Sequence, residues 1–309
     1  MRIAAIQAAP IFLDKRATTE KVIALMRAAA AGGAELCAFS ETFLPGYPMW
    51  LRPLISVASD ALQKAAYAAY VQASVCTNGP ELKAIADTAK ELGLFTYLGF
   101  VERAESGGAV YCSFAAIHPD EGIVGIHRKL RPTYYERVIW AEGDGQGLAV
   151  HKWKDFKVGG LNCFENWLPL ARHALYAQGE ELHVACWPGR REHGLDIARF
   201  IAMEGRVYVL SVGGILRPSD IPNSFPLKGQ PMDSGFQIMT GGSLIVAPDG
   251  EVMAGPLDKV EETLFADIDV KRVREERFKM DPAGHYGRPD VFDLRVDRTR
   301  RRQISYPSG

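Results

Sequence analysis

Cys163, Glu41, Lys129 and Glu136 are the side chains of this sequence whose types could combine into covalent catalysis. A thiol attacks carbon as its thiolate, so it needs a group to take its proton and a group to stabilise the charge that develops on the substrate. Cys163 lies within Val158-Gly159-Gly160-Leu161-Asn162-Cys163-Phe164-Glu165-Asn166-Trp167, ahead of a helix-like segment from Leu168 to Gln178 that stops at Gly179. The thiol is therefore expected at the carboxyl end of a strand and the amino end of a helix. Unpaired N–H groups and the helix dipole there favour an anion and lower a thiol pKa. A lone cysteine is more often a small buried hydrophobe, so placement alone permits catalysis without establishing it. Glu41 follows the apolar Leu36–Phe39 at another strand end, where partial desolvation raises a carboxylate toward the range of a general base. Taken alone, such a carboxylate is more often a surface or capping residue than a base. Lys129 and Glu136 flank the Pro-stiffened loop of His127-Arg128-Lys129-Leu130-Arg131-Pro132-Thr133-Tyr134-Tyr135-Glu136-Arg137. A lysine held beside a carboxylate and a thiol can stabilise developing charge.

Strand-like and helix-like segments alternate around these positions. Arg2–Ala8 reads as a strand, Thr19–Ala31 as an Ala-rich helix closed by Gly32-Gly33, and Leu36–Phe39 as a buried strand. Helices are expected near Asp60–Ala73 and Pro80–Leu92, the latter stopped by Gly93, followed by an apolar strand from Leu94 to Val101. Turns at Ser106-Gly107-Gly108 and Pro119-Asp120-Glu121-Gly122 separate strands Ala109–His118 and Ile123–His127. A second hairpin spans Ser243–Ala247 and Glu251–Ala254, and further helices are expected near Leu195–Glu204 and Val270–Phe278. This mixture predicts one layered α/β domain with mixed sheets over residues 1–280 and a C-terminal extension over 281–309.

The 309 residues suffice for a large buried core, and 47% hydrophobic with 24% charged residues is ordinary for a globular protein. A net charge of −1 offers no electrostatic case for nucleic acid or an anionic membrane. The arginines at 295, 298, 300, 301 and 302 read as a solvated tail or a subunit contact. Cys37, Cys76, Cys112, Cys163 and Cys186 are odd in number and widely spaced, without a C-x-x-C pair. A disulfide framework or zinc site is not expected, and a reducing, cytoplasmic setting fits. No apolar run approaches the length of a membrane span, and Gln7 and Pro10 interrupt any signal-peptide core.

Flanking residues turn these separate signals into one. Glu41 before Phe-Leu-Pro-Gly-Tyr-Pro, Lys129 within His-Arg-Lys-Leu-x-Pro-Thr, and Cys163 within Gly-Leu-Asn-Cys-Phe-Glu-Asn resemble the Glu-Lys-Cys signature of the nitrilase superfamily. Cys163 to Arg172, Trp140-Ala141-Glu142-Gly143-Asp144-Gly145 and the segment from Asp281 to Asp290 are similar to the nitrilase branch proper. The resemblance runs from Ile3 to about Val291. Departures are Phe164 where tryptophan is common, Cys112 where asparagine is common, Gly287 where serine is frequent, and a short tail. These bear on substrate range and assembly and leave the catalytic residue types intact.

The resemblance implies a four-layer α-β-β-α sandwich and hydrolysis of an organic nitrile by two waters to a carboxylic acid and ammonia. In that chemistry Cys163 is the nucleophile, forming a thioimidate and then an acyl-thioester. Glu41 is the general base and acid, Lys129 the charge stabiliser and Glu136 a supporting carboxylate. Glu165 is either structural or orders Lys129, and N–H groups near Phe164 complete the charge-stabilising site. No metal or organic cofactor is implied, and the partner is the small-molecule nitrile. The aromatic residues crowding these segments suit an apolar pocket, with Tyr47, Tyr134, Phe164 and Trp187 as its candidate substrate contacts. They favour aryl-aliphatic or aromatic nitriles. Cyanide hydration and amide or carbamoyl hydrolysis share the same site and stand as alternatives. A papain-like thiol enzyme would need His173 or His183 as its base, and a catalytically silent scaffold would not need the intact set. A homo-oligomer, dimer-based and in nitrilases often spiral, is implied, with the Trp50–Gly79 insert and the tail as contact regions.

Overall fold

A computed structural model describes residues 1–51, 59–105, 108–189, 191–228 and 239–301, with backbone alone at 191–193. Ser106 and Gly107 of the expected turn, part of the Trp50–Gly79 insert and the chain from Arg302 onward lie outside the described residues. Two six-stranded mixed sheets form the centre. The first has the order β14 (Glu262–Asp267), β1 (Arg2–Gln7), β2 (Leu36–Phe39), β3 (Phe95–Arg103), β4 (Val110–His118), β5 (Gly122–Arg128). The second has the order β13 (Val252–Ala254), β12 (Leu244–Val246), β9 (Tyr208–Gly213), β8 (Leu182–Trp187), β7 (Phe156–Asn162), β6 (His151–Trp153). In each sheet three central strands run parallel, β1-β2-β3 and β7-β8-β9, with antiparallel strands outside them. A short pair, β10 (Ile215–Leu216) and β11 (Met239–Thr240), stands apart.

The alternation of side chains along each strand builds the layers. On β1 and β2, Ile3, Ala5, Leu36 and Ala38 enter the core between the sheets with Val158, Val184 and Leu210. Their neighbours Ala4, Ile6, Cys37 and Phe39 point the other way, onto α1 (Lys15–Ala31) and α3 (Pro80–Leu92) through Val22, Met26, Leu82 and Ile85. On the far side, Ala185 and Val209 pack against Ile197, Ile201 and Ala202 of α5 (Arg191–Gly205), while Leu161 packs on α4 (Pro169–Tyr176). Strands covered on both faces read as continuous apolar runs, as these do. The expected four-layer sandwich is present.

Local signals set most boundaries. Helix α1 begins four residues before the expected Thr19 because the Asp14 side chain accepts the Ala17 N–H and caps it. Helix α3 carries Pro80 in its first turn and ends on Gly93 with φ 61°. The remaining helices are α2 (Asp60–Ala73) and α6 (Val270–Arg277). Strands β6, β8, β9 and β14 were not anticipated. No helix among the described residues is long and apolar enough to cross a membrane.

Residues 281–301 have no strand or helix, and their arginines are not all solvated as expected. Arg300 donates to the Ile126 carbonyl at 2.7 Å and pairs with Asp144 at 3.2 Å, and the Arg301 N–H also reaches Asp144. The tail therefore folds back onto the chain on either side of Lys129.

Candidate active site

Glu41, Lys129 and Cys163 all follow the carboxyl ends of strands, β2 and β5 in the first sheet and β7 in the second. Ligands in open α/β sheets bind at such ends. The Glu41 turn is pressed onto β3: a Cβ at Gly99 would stand 2.0 Å from the Ser40 carbonyl oxygen and 2.8 Å from the Glu41 Cα. Only glycine permits that approach. The Glu41 N–H donates to the Trp187 carbonyl at 3.2 Å, tying the end of β2 to the end of β8 in the opposite sheet. Lys129 is fixed by its own N–H, which donates to the Cys112 carbonyl at 2.7 Å.

These side chains meet out of water. Glu41, Lys129, Glu136 and Cys163 are all buried. Lys129 Nζ lies 3.2 Å from Glu41 Oε2 and 2.8 Å from Glu136 Oε2. Carboxylate oxygens of Glu41 and Glu136 and the Cys163 sulfur all fall within 4.8 Å of one another. Among the described residues this is the one cluster whose atoms could hold a metal ion. The Lys129 ammonium already occupies it, and its charge opposes a cation.

The two carboxylates differ in their hydrogen bonding. Glu136 accepts from Lys129 at 2.8 Å, from the Thr133 N–H at 2.6 Å and from the Tyr47 hydroxyl at 2.8 Å. Among the described residues, Glu41 meets only the Lys129 ammonium, at 3.2 and 3.4 Å. Glu136 is thereby suited to hold the lysine, and Glu41 keeps lone pairs for a proton. Burial pushes the Glu41 carboxyl up to about 8, against the pull of Lys129 and with the aid of Glu136. Burial alone would lower the Lys129 pKa, but the negative charge that Cys163, Glu41 and Glu136 can carry beside it holds it above its ordinary value.

Cys163 departs from expectation in two respects. It opens a 3₁₀ turn, Cys163–Trp167, and α4 starts only at Pro169, so the thiol is not at the helix terminus itself. Its pKa is raised rather than lowered: burial dominates, opposed by Lys129 and by a hydrogen bond from the Phe164 N–H. One N–H and one ammonium do not match complete desolvation, so the resting group is a thiol. The backbone of Cys163 is left-handed, φ 49°, as are its site neighbours Thr42 at 49° and Tyr134 at 51°. Such conformations cost on the order of 1–3 kcal/mol each in non-glycine residues and collect at functional sites.

Glu165 accepts from the Asn162 N–H at 3.0 Å and from the Leu130 N–H, and pairs with His127 at 3.0 Å. It therefore orders Lys129 through the neighbouring backbone and laces β5 to β7. Of the expected pocket residues, Tyr47 is partly buried against Trp140, and Trp187 is buried, packing in one cluster with Cys163. Phe164 is 41% exposed and Tyr134 64% exposed, the latter against Tyr135 at 4.1 Å between ring centres. The structure leaves His173 outside the cluster, and His183 is a buried residue of β8 bound to other partners. Three contributors escaped the sequence reading: Asn166, the lacing role of Glu165, and the Tyr47 hydroxyl on Glu136. A polar residue inside an apolar run, such as Asn166 or His183, was the available signal, because a buried polar group requires a partner.

Known proteins share this architecture. The carbon-nitrogen hydrolase family profile matches residues 2–278. The chain is 37% identical over 306 residues to Nitrilase 2 from an unknown prokaryotic organism, covering 98% of this chain and 94% of that protein. It is 38% identical over 297 residues to an aliphatic nitrilase of Sinorhizobium fredii, covering 96% and 95%. Saccharomyces cerevisiae Nit3, described as a member of branch 10 of the nitrilase superfamily, superposes with a TM-score of 0.71 at 16% identity, covering 93% and 96%. The chain thus belongs to the carbon-nitrogen hydrolase family, in its nitrilase branch.

Proposed function

We propose that this protein hydrolyses an organic nitrile to a carboxylic acid and ammonia, with Cys163 as nucleophile. The observation that carries the reading is the buried convergence of the Cys163 sulfur, the Glu41 and Glu136 carboxylates and the Lys129 ammonium from both sheets. A nitrile carbon is weakly electrophilic, so attack requires proton transfer to nitrogen as the S–C bond forms. Glu41 takes the thiol proton and delivers it to nitrogen, giving a thioimidate. Lys129 stabilises the charge on nitrogen, and Glu136 holds Lys129. Water then adds to the carbon, Glu41 passing one of its protons to nitrogen; the remaining hydroxyl proton follows as the C–N bond breaks, and ammonia leaves an acyl-thioester. A second water cleaves the C–S bond to release the acid. If the C–S bond breaks first, an amide is the product instead.

The relatives named nitrilases support this reaction over amide or carbamoyl hydrolysis. The Tyr47–Trp140 ring pair and the buried Trp187 beside Cys163 support aryl-aliphatic or aromatic nitriles over small ones. Comparing acid and ammonia release from phenylacetonitrile, benzonitrile, a dinitrile, cyanide and phenylacetamide is expected to place phenylacetonitrile or benzonitrile first. A preference for cyanide would refute the substrate class, and one for the amide would refute the reaction.

Because Glu41 must be unprotonated to accept the thiol proton, kcat/KM is expected to rise with pH and level off near its pKa of about 8. Initial rates between pH 6 and 9 read this directly. A profile that is flat or falling over that range removes Glu41 from the role of base in the free enzyme.

The cysteines are all free thiols, which supports a reducing, cytoplasmic setting. Trp167, Leu168 and Leu170 at the start of α4 and Phe200 and Met203 on α5 leave an apolar patch half-exposed. That patch supports a dimer built on these two helices, extended through the insert and the tail into a larger homo-oligomer. A monomer in light scattering would remove this part of the proposal.

A further inference from the structure

Beneath the nucleophile lies a line of buried polar groups that the proposed reaction does not use. Asn166 Nδ2 donates to the Cys163 carbonyl at 2.9 Å and to the Leu161 carbonyl at 3.3 Å, gripping the backbone on both sides of the turn. Asn166 Oδ1 is 2.8 Å from His183 Nε2, and His183 Nδ1 is 2.9 Å from Glu180 Oε1. All three side chains are fully buried. Room for Glu180 comes from Gly159, where a Cβ would stand 2.3 Å from the carboxylate oxygen.

Hydrogen counting orients the whole line. Asn166 spends both amide hydrogens on carbonyls, so its oxygen accepts and His183 Nε2 must carry a hydrogen. A single further proton sits between His183 Nδ1 and Glu180, whether as imidazolium with carboxylate or as neutral imidazole with carboxylic acid. The pair is net neutral either way, which is how two ionisable groups can be buried together. The line ends on one peptide unit: its carbonyl, of Cys163, receives Asn166, and its N–H, of Phe164, donates to the Cys163 sulfur. Hydrogen bonds in series polarise one another, and accepting at a peptide oxygen strengthens donation from the same peptide nitrogen.

We infer that Glu180, His183 and Asn166 form a positioning chain that holds Cys163 in its left-handed conformation and polarises the Cys163–Phe164 peptide toward the reacting sulfur. None of the three touches substrate. They act through the peptide, favouring the thiolate and the charge formed at the sulfur during attack. The inference rests on Cys163 as nucleophile. Among the described residues, the ionisable groups facing the sulfur are Lys129, Glu41, Glu136 and Tyr47. Those facing Glu180 besides His183 are Tyr97 on β3 and Tyr176 on α4, and Arg277 binds the Glu180 backbone carbonyl.

The test is the pH dependence of Cys163 alkylation by iodoacetamide, followed on the Cys163 peptide by mass spectrometry, beside kcat and KM for the preferred nitrile. His183→Ala removes the donor to Asn166, and the alkylation midpoint is expected to move up by about one pH unit. Its kcat is expected to fall about tenfold with KM unchanged, the size of one hydrogen bond to a charged group. His183→Gln, which keeps an N–H toward Asn166, restores both. Glu180→Gln preserves shape while removing the carboxylate, and it shifts the midpoint in the same direction even if His183→Ala does not fold. An unchanged alkylation profile in folded Glu180→Gln and His183→Ala overturns the inference. Alkylation needs no nitrile, so absent nitrile hydrolysis in the wild type sinks the proposed function and leaves this measurement readable.

Discussion

Cys163→Ala is expected to lower acid and ammonia release by more than about 10⁴-fold, since removing a nucleophile eliminates the covalent route itself. The substitution deletes one sulfur from a buried site, so the fold and the Glu41–Lys129–Glu136 cluster persist. A thermal melt within a few degrees of wild type accompanies the loss. Mass spectrometry of the wild type caught with substrate is expected to show an adduct on the Cys163 peptide that the variant lacks. Residual turnover near the wild-type rate in Cys163→Ala would overturn the covalent mechanism outright.

Lys129→Met has the second-largest expected effect, and it acts on stability as well as rate. Among the described residues, the lysine is the one cation paired with the two buried carboxylates, Glu41 at 3.2 Å and Glu136 at 2.8 Å. Removing one partner of a buried charge cluster costs about 3–5 kcal/mol, because the remaining charges stay desolvated and unpaired. Activity falls about 10²–10³-fold from the lost charge stabilisation. The pH dependence has a definite sign. Burial already pushes Glu41 up to about 8 against the pull of Lys129, so without the lysine the Glu41 carboxyl binds its proton still more tightly in the folded state than when unfolded. Folding then takes up protons, and stability decreases as pH rises from the unfolded carboxyl range near 4.3 toward 8 and above. Urea unfolding at pH 5 and pH 8 measures it: the deficit of Lys129→Met relative to wild type is expected to be larger at pH 8. An equal or smaller deficit there would show that the lysine does not neutralise this cluster.

The catalytic candidates were legible because each stands in a short run with its own flanking pattern, Glu41 before Phe-Leu-Pro-Gly-Tyr-Pro and Cys163 before Phe-Glu-Asn. The layers were legible too, since apolar runs such as Leu36–Phe39 bury both faces of a strand. What could not be read were contacts between residues distant in sequence. Tyr47 reaches Glu136 across 89 positions, and Arg300 reaches the Ile126 carbonyl across 174. No local pattern encodes such a meeting. The raised thiol pKa has a related cause. A strand–helix junction announces helpful N–H groups, but it says nothing of how deeply the site is buried. Burial proved the larger effect. Tyr134 shows the same gap, an aromatic residue beside the lysine loop that is 64% exposed.

Glu41 and Lys129 belong to one sheet and Cys163 to the other, and the Glu41 N–H on the Trp187 carbonyl is among the few backbone bonds between them. Neither half of the molecule owns a complete set of reactive groups. A folding intermediate with one sheet formed, or with the two halves slipped against each other, holds Cys163 apart from Glu41 and Lys129. On the proposed mechanism, attack on a nitrile therefore waits for the finished interior, whereas the exposed thiol of an unfinished chain keeps the pKa and reactivity of an ordinary cysteine until burial raises it.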